Sequence, residues 1–577
     1  MKKHFTFVLH SHLPYVLSHG KWPHGTDWLN EALAETYIPL LNAFNKLVSE
    51  GISPKVTIGI SPILCEQLGD EEFWGEFNAY CDVKIEAARE NKKTFLELEE
   101  EHNAEVAQFW DDYYSGVKND FNERYGKNIL KAFKKLQDDG HLEIITCGAT
   151  HGYFPLLSED VSVQAQVKTA IYSYERFFGR KPKGIWLPEA AYRPSYEWNP
   201  PAEHPAKDWP RLRKGVEEIL YENGIKYFFV DSHLLKGGKH VGVYIDRFKI
   251  LKDLWKQFES SYQERPEEAE KIPYLPYLVS STNGKKAVSI FTRDPETGLQ
   301  VWSGEYGYPG DGNYLDFHKK HFPGGLRYWR VTSPKADLGD KLPYFVDKAF
   351  ERIPEQAGHF ADLISSVLEK GCKDIKEDKN VIITAPFDTE LFGHWWFEGT
   401  NWIYQVIKFL HQKGEVKLKT AGEFLEENPP NRIVSIPEGS WGQGGFHYIW
   451  MNEWTKWTWK HVYQAEYMMK EIVKSDDWEK DEFLKKLLQQ LARELLILQA
   501  SDWQFLISTW SARDYAEMRI TKHSEDFLKL HDIILDYKKK GKLSSAQQKY
   551  YDYLYDRDRI FPEVDPSWWR ETVFKEG

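Results

Sequence analysis

Seven short runs of apolar and β-branched residues lie between the N-terminus and Ala385, and none of them shows a helical period. Such runs predict buried β-strands. Segments with apolar residues three and four positions apart separate several of the runs, as in helices that pack on a sheet. The predicted strands are His4–Leu9, Lys55–Ile60, Leu142–Thr146, Gly184–Leu187, Tyr227–Val230, Ala287–Phe291 and Val381–Ala385, and Val416–Lys419 predicts a further edge strand.

Polar clusters follow the predicted strands, where each run of apolar residues ends. Pro386 ends the last strand, because proline cannot donate a ladder hydrogen bond, and Asp388 follows it. The chain has no Gly-x-Gly-x-x-Gly sequence, which would indicate a dinucleotide fold. Strands that alternate with helices and carry polar residues at their C-terminal ends predict an α/β protein with a parallel barrel.

Two regions depart from the strand–helix alternation. Residues 66–140 are rich in charged residues and helical in period, which predicts a helical insertion within the barrel domain. Long helical patterns dominate the C-terminal part, and Phe483, Leu484, Leu487, Leu488 and Leu491 show the spacing of a bundle. We therefore expect a catalytic barrel over 1–420 and an all-helical domain over 421–577, whose first loops reach back to the barrel mouth.

Composition narrows the class of protein. The 577 residues are 41% hydrophobic and 28% charged, which is typical of globular proteins of more than one domain. The net charge of −13 argues against nucleic acid or an anionic membrane as a partner. The four cysteines form no C-x-x-C pair, so we expect reduced thiols. The N-terminal apolar run, Phe5–Leu9, is too short for a signal peptide, and a cytoplasmic location is expected.

Aromatic residues make up 15% of the chain and include 23 tryptophans. Two interpretations of this excess are open, a robust aromatic core and a long carbohydrate-binding surface. Both fit the count of tryptophans equally well.

Two acidic residues, Glu189 and Asp388, each follow a predicted strand. Glycosidic bond cleavage requires a pair of carboxyl groups, which lie about 5–5.5 Å apart in retaining enzymes. Two unrelated loop acids are the alternative. His10 and His12 point to one side of an extended segment and could bind a metal or a sugar hydroxyl, and His151 also follows a strand. A metal-dependent hydrolase and a non-catalytic glucan-binding protein thus stay open beside a retaining enzyme.

Five spaced motifs carry a resemblance that covers nearly the whole chain. They are His10-Ser-His-Leu-Pro-Tyr15, Gly148-Ala-Thr-His151-Gly-Tyr153, Trp186-Leu-Pro-Glu189-Ala-Ala-Tyr192, Pro386-Phe-Asp388-Thr-Glu-Leu-Phe-Gly-His394-Trp-Trp and Ser501-Asp502-Trp503. With these motifs the chain resembles glycoside hydrolase family 57, and within it the enzymes that branch α-1,4-glucans and their amylase-like relatives. The resemblance implies a (β/α)7 barrel with a helical insertion and a helical C-terminal domain.

The resemblance also implies a retaining mechanism, with Glu189 as nucleophile and Asp388 as general acid/base. The expected reaction cleaves an α-1,4 link of a glucan such as amylose and transfers the chain to a 6-hydroxyl, forming an α-1,6 branch. The alternative is an α-amylase or a 4-α-glucanotransferase with the same mechanism. Neither a cofactor nor a metal is expected, and the chain is expected to be a monomer or a small homo-oligomer.

Further residues are assigned to the sugar-binding groove. The resemblance places His10, His151, Trp302, Trp441, Trp450 and Asp502 along the donor sites or in support of them, and Trp28 near the groove entrance. The remaining candidates, His12, Tyr192, Arg193, His394, Trp395 and Trp503, lie inside or beside the motifs.

Residues 237–276 have no clear counterpart in the family. Branching members carry a tyrosine on a mobile loop here, and Tyr244 is the nearest aromatic residue in this chain. The segment predicts either a lid that excludes water from the active site or a solvated helical excursion that packs on the outside.

Overall fold

The computed structural model of the chain describes residues 2–237, 250–258, 265–268, 271–303, 306–333, 335–373, 375, 379–475 and 477–570. Tyr244 and most of the predicted lid lie outside the described residues.

Seven parallel strands form a closed barrel, as the sequence predicts. In chain order they are β1 (Lys3–Ser11), β2 (Val56–Ile60), β3 (Leu142–Cys147), β4 (Gly184–Trp186), β5 (Tyr227–Asp231), β6 (Val288–Arg293) and β7 (Val381–Asp388). Each strand pairs with the next one, β7 pairs with β1 along its length, and a short pairing of Thr384 with Arg293 joins β7 to β6. Because all seven strands run the same way, their C-terminal ends meet at one mouth.

Short additional strands pair with strands of the barrel and with each other. Val416–Leu418 pairs with β1, which confirms the predicted edge strand, and Tyr277–Val279 runs antiparallel to β6 and pairs with Ile433–Val434. The hairpin of Tyr196–Trp198 and Arg211–Arg213 was not predicted. Its three-residue strands are too short to show a period in the sequence.

Helices surround the barrel and build the rest of the chain. Those of the barrel region are Thr26–Ala32, Ile38–Ser49, Pro62–Leu68, Glu71–Glu97, Glu101–Asn119, Ile129–Asp138, Asp160–Phe178, Val216–Glu222, Ser232–Lys236, Ile250–Phe258, Pro295–Trp302, Val346–Gly371, Gly399–Lys413 and Ala421–Glu427. Those of the C-terminal part are Lys456–Ile472, Glu482–Leu498, Asp502–Thr509, Arg513–Lys540 and Ser545–Arg557. Glu71–Glu97 and Glu101–Asn119 pack on each other and form most of the insertion.

The C-terminal helices form where capping and periodicity agree. Asp481 caps the helix Glu482–Leu498, because its carboxylate accepts hydrogen bonds from the N–H groups of Phe483 and Leu484. The apolar face of this helix is buried, largely against Arg513–Lys540. All four cysteines are buried thiols. Among the described residues, no helix is long and apolar enough to cross a membrane.

Candidate active site

Glu189 lies at the barrel mouth, in the turn that follows β4. Its backbone is left-handed, with φ 61° and ψ 24°, and His151 after β3 has φ 61° as well. Residues other than glycine avoid this region of φ and ψ, and such strain costs on the order of 1–3 kcal/mol per residue. Two strained residues at neighbouring strand ends indicate that the surrounding fold imposes both backbone conformations.

Trp441 contacts Glu189 through two hydrogen bonds. The indole Nε1–H donates to Oε2 of Glu189 at 2.8 Å, and the backbone N–H donates to the Glu189 carbonyl at 3.2 Å. Burial and the negative charge of Asp388 raise the pKa of Glu189, the hydrogen bonds from Trp441 and Ser501 lower it, and the resulting pKa is about 8. At neutral pH the carboxyl therefore holds its proton.

Asp388 ends β7 and lies directly beside His10 in the register of β1 and β7. Two residues on, the buried carboxyl of Glu390 accepts hydrogen bonds from the Tyr37 hydroxyl and from the backbone N–H of His12. Burial raises the pKa of Glu390 to about 8, and the charge of Asp388 acts in the same direction. The charge of Asp388 thus raises the pKa of two buried carboxyl groups, Glu189 and Glu390. Interacting carboxyl groups of this kind are typical of acid/base pairs.

His10, His12 and His151 form a stack of rings, and His151 lies next to Glu189. His10 and His151 share a hydrogen bond of 3.0 Å between their Nε2 atoms, and the rings of His12 and His151 stack at 4.0 Å. His151 Nδ1 contacts the Ser501 hydroxyl at 2.8 Å and lies 3.9 Å from the Glu189 carboxylate. Burial lowers the pKa of His10 and of His151 well below the usual value, so both imidazoles are neutral. Neutral imidazoles can donate and accept hydrogen bonds with sugar hydroxyl groups.

Asp502 brings the C-terminal helices to the mouth. Its carboxylate accepts a hydrogen bond from His12 Nε2 at 3.0 Å, and the other ring nitrogen of His12 contacts Ser61. The ligand atoms of His12, His151 and Asp502 lie within 4.8 Å of one another, a separation that could hold a cation. His12 and Asp502 are hydrogen-bonded to each other, and the two ring nitrogens of His151 contact His10 and Ser501. The absence of a metal stays a prediction.

A chain of three polar side chains holds the segment of residues 438–450, which we call the aromatic loop. The Tyr153 hydroxyl contacts His447 Nδ1 at 2.8 Å, and His447 Nε2 lies 2.9 Å from the Glu438 carboxylate. Tyr153 also stacks on Trp450, with ring centroids 4.5 Å apart. Glu438 and His447 lie near the two ends of the loop, so their contact closes it. The contact of His447 with Tyr153 attaches the loop to the segment after β3.

The helix Ile250–Phe258 packs on the outer side of the aromatic loop. Phe258 stacks on Tyr448 with centroids 4.2 Å apart, and Trp255 lies against Tyr448 and Gly444. A Cβ atom on Gly444, whose φ is 75°, would lie 2.4 Å from the Trp255 ring, so glycine is required there. The described part of the divergent segment therefore contacts the loop that carries Trp441.

Four of the predicted site residues are fully buried within the protein. The hydroxyl of Tyr192 donates to Glu217 at 2.8 Å, and Arg193 lies 3.8 Å from Asp160. Trp503 donates to the carbonyl of Ile497, and Trp450 is covered by Tyr153. These four side chains present no surface to a sugar in this structure.

Other predicted residues lie around the mouth. The His394 ring contacts Glu31 at 2.9 Å, on the side of the insertion, and Trp395 beside it is half-buried. Trp302 ends the helix Pro295–Trp302 near Phe387. Trp28 is half-buried and contacts Tyr515 of the C-terminal part.

Sequence reasoning missed several residues of the site. Tyr153, Ser501 and Glu390 lie inside the quoted motifs, so their neighbourhood could have indicated them. Tyr37, Glu438 and His447 carry no local signal, because only the closure of the barrel and of the aromatic loop brings them to the mouth.

A closed parallel barrel with buried carboxyl groups from two strand ends defines the class of α/β-barrel enzymes with acid/base chemistry at the C-terminal mouth. Within that class, the chain belongs to glycosyl hydrolase family 57, whose model matches residues 6–437. A second model, described as 1,4-alpha-glucan branching enzyme, C-terminal, matches residues 461–569.

Known relatives agree over nearly the full length. The chain is 42% identical to the 1,4-alpha-glucan branching enzyme TK1436 of Thermococcus kodakarensis, over 98% of this chain and 78% of that protein. A crystal structure of the GH57-type branching enzyme of Pyrococcus horikoshii has a TM-score of 0.87 and 39% identity, over 99% of this chain and 97% of that one. The α-amylase AmyC of Thermotoga maritima is more distant, with a TM-score of 0.79 and 29% identity over 99% and 100% of the two chains.

Proposed function

We propose that this chain is a retaining 1,4-α-glucan branching enzyme. The observation that carries the proposal is the contact of Trp441 with Glu189, whose pKa is raised by the charge of Asp388, inside a fold that family 57 branching enzymes share. In the first half-reaction Asp388 donates its proton to the glycosidic oxygen while Glu189 attacks C1. The C1–O bond breaks, and a glycosyl group stays on Glu189.

In the second half-reaction Asp388 removes a proton from a 6-hydroxyl group of an acceptor chain. The oxygen of that hydroxyl attacks C1, the bond to Glu189 breaks, and an α-1,6 branch forms. Water in place of the hydroxyl gives hydrolysis instead. The carboxyl groups are the same in both outcomes, so exclusion of water and placement of the acceptor decide between them.

Neutral histidines and the buried tryptophan support this chemistry. His151 lies 3.9 Å from the Glu189 carboxylate and shares a hydrogen bond with His10, so two uncharged imidazoles lie beside the nucleophile. The proton that Glu189 holds at neutral pH must pass to Asp388 before the attack on C1, so that Glu189 attacks as the carboxylate and Asp388 acts as the acid. Trp441 favours its departure, since an N–H donor stabilises the carboxylate.

We infer the substrate from the relatives, which are 1,4-α-glucan branching enzymes. We also propose a catalytic domain over 1–420, with its insertion over 66–140, and a helical domain over 421–577. The contribution of Ser501 and Asp502 to the mouth supports a helical domain that completes the active site.

Incubation with amylose tests the function. Debranching the product with an isoamylase and counting the released chains measures branches, and the reducing ends present before debranching measure hydrolysis. Branches that outnumber new reducing ends support the proposal. Reducing ends without branches would identify an amylase of the same mechanism, and neither product would exclude catalysis on α-1,4-glucans.

A further inference from the structure

Two tryptophans form an exposed pair outside the barrel mouth. The rings of Trp454 and Trp510 have centroids 5.7 Å apart, at an angle of 56°. Trp510 is 52% exposed and Trp454 is half-buried. Large aromatic side chains are usually buried, and a paired exposed patch commonly marks a binding surface.

The backbone conformation of Trp510 is strained. Trp510 directly follows the helix Asp502–Thr509 in the left-handed conformation, with φ 57° and ψ 19°. Glycine is the residue that suits this position, and a bulky side chain is strained there. The fold of this position therefore favours glycine, yet the chain carries a tryptophan whose ring faces solvent.

Asn452 fixes the position of the pair. Its side-chain oxygen accepts a hydrogen bond from the backbone N–H of Trp454 at 2.9 Å, and its amide donates to the Ser508 hydroxyl at 2.9 Å. Ser508 lies on the helix that Trp510 follows. Both tryptophans are thus tied to one rigid element, which leaves little entropy to lose when a ligand binds.

The pair is linked to the active site by that same helix. Asp502 at its first position contacts His12 at the mouth, and Trp510 follows eight residues later, about 12 Å along the helix axis at 1.5 Å per residue. On the other side of the connecting turn, Tyr515 contacts Trp28 with centroids 5.8 Å apart. Trp28 and Tyr515 thus form an aromatic contact on the same side of the helix Asp502–Thr509 along the chain as Trp510, five residues before Tyr515.

We propose that Trp454 and Trp510 form a secondary binding platform for an α-1,4-glucan chain outside the catalytic pocket. The indole rings contact the apolar C–H faces of glucose units, while Arg513 and Glu517 next to them offer groups that can bind hydroxyls. The identity of the ligand rests on the proposed function. The platform retains long chains near the mouth and does not take part in bond cleavage.

Substitution of Trp510 by glycine separates binding from folding. Trp510→Gly removes the ring and relieves the left-handed strain, so the melting temperature should stay the same or rise. The KM for amylose should rise about three- to tenfold, as for loss of one aromatic anchor, with kcat retained. Tyr221→Ala, at an exposed aromatic residue on the outer helix Val216–Glu222, is the matched control and should change neither value.

Two further measurements keep the test decisive. Trp454→Ala should raise the KM in the same way, and it replaces Trp510→Gly if that variant loses stability. Glu189→Gln with and without Trp510→Gly, compared by gel retardation in amylose, reports binding without turnover. If the wild type forms no branches but is retarded by amylose through Trp510, the proposed function fails and the platform stands.

An unchanged KM and unchanged retardation in both tryptophan variants would overturn the platform while leaving the branching activity in place. A change of oligomeric state in Trp510→Gly, measured by light scattering, would also overturn it. That result would assign the pair to contact between two copies of the chain.

Discussion

Glu189 combines a strained backbone with a buried carboxyl group at a single residue. Its backbone has a left-handed conformation that residues other than glycine avoid. Burial makes ionisation of its carboxyl group unfavourable. Both features cost free energy in the folded state, and the hydrogen bonds from Trp441 offset part of that cost. Residues with such conflicting requirements are typical of active sites.

Replacement of Glu189 by glutamine should abolish turnover by several orders of magnitude, because an amide cannot form the glycosyl ester. The side chain keeps its shape, so the melting temperature and the binding of glucan should be retained. Azide added to Glu189→Ala should yield a β-glycosyl azide, since it attacks from the face that the carboxylate occupied and inverts the α configuration once. Azide rescue at Asp388→Ala and not at Glu189 would reverse the assignment of the two roles.

The activity should depend on pH through the proton of Glu189. Because the reaction needs one proton on the pair, on Asp388 while Glu189 attacks as the carboxylate, kcat/KM should fall with rising pH around the pKa of about 8, where that proton is lost. Trp441→Phe removes a donor to the carboxylate, which raises the pKa of Glu189 and moves this fall toward higher pH by about one unit. A shift toward lower pH, or activity that keeps rising through this range, would contradict a proton shared by Glu189 and Asp388.

The aromatic loop is the element on which the site depends most. It carries Trp441 to Glu189, and it has no helix or strand of useful length to hold it there. The contacts of Tyr153, His447 and Glu438 fix it from the barrel side, and the helix Ile250–Phe258 covers its outer side. A loop held on both sides can position a donor as well as a regular element does.

Tyr153→Phe tests this support. The variant removes the hydroxyl group that contacts His447 but retains the ring that stacks on Trp450, so kcat should fall about tenfold with a small loss of stability. Since Tyr153 acts through Trp441, its effect should nearly vanish in a Trp441→Phe background.

Tyr174→Phe is the matched control for this prediction. Its buried hydroxyl donates to the carbonyl of Ile144 at 2.8 Å in the barrel wall, so the substitution should cost stability without lowering kcat of the folded enzyme. Additive effects of Tyr153→Phe and Trp441→Phe would show that the two residues act independently.

At the scale of the whole molecule, the C-terminal helices complete the barrel. Asp502 and Ser501 reach the mouth, and a buried ionic cluster joins the two parts at a second place. Asp558 contacts His19 at 2.6 Å and Arg557 at 2.7 Å. Burial raises the pKa of Asp558, but the hydrogen bonds and charges of His19 and Arg557 outweigh it and hold the pKa well below its usual range.

Asp558→Asn should lower the free energy of unfolding by about 3–5 kcal/mol at neutral pH, because the positive charge of Arg557 would lose its closest buried partner. In the wild type this contribution is present above the unfolded pKa of about 4, and it is lost as the pH falls further. Denaturant unfolding at neutral pH and near pH 3 measures both effects.

Asp139→Asn breaks an exposed pair with Lys135 and should cost less than about 1 kcal/mol. Equal losses in the Asp558 and Asp139 variants would show that the buried cluster does not stabilise the joint between the barrel and the C-terminal helices.

The sequence by itself determined the elements and indicated the proposed catalytic pair. Period and composition are local properties, so the seven strands, the insertion and the terminal helices could be predicted from them. Glu189 and Asp388 followed because a parallel barrel brings all strand ends to one mouth. The motifs added the family, since five of them occur in a fixed order.

Tertiary structure alone decided which face of each side chain is covered. Tyr192, Arg193 and Trp503 lie in or beside the motifs yet are buried, because elements distant in sequence pack over them. Trp510 has no such cover, although the sequence gives it no distinguishing mark. The proton on Glu189 and the contact of Tyr153 with His447 depend on groups up to hundreds of residues apart. Burial and charge at a site are sums over neighbours in space, and a linear pattern does not contain them.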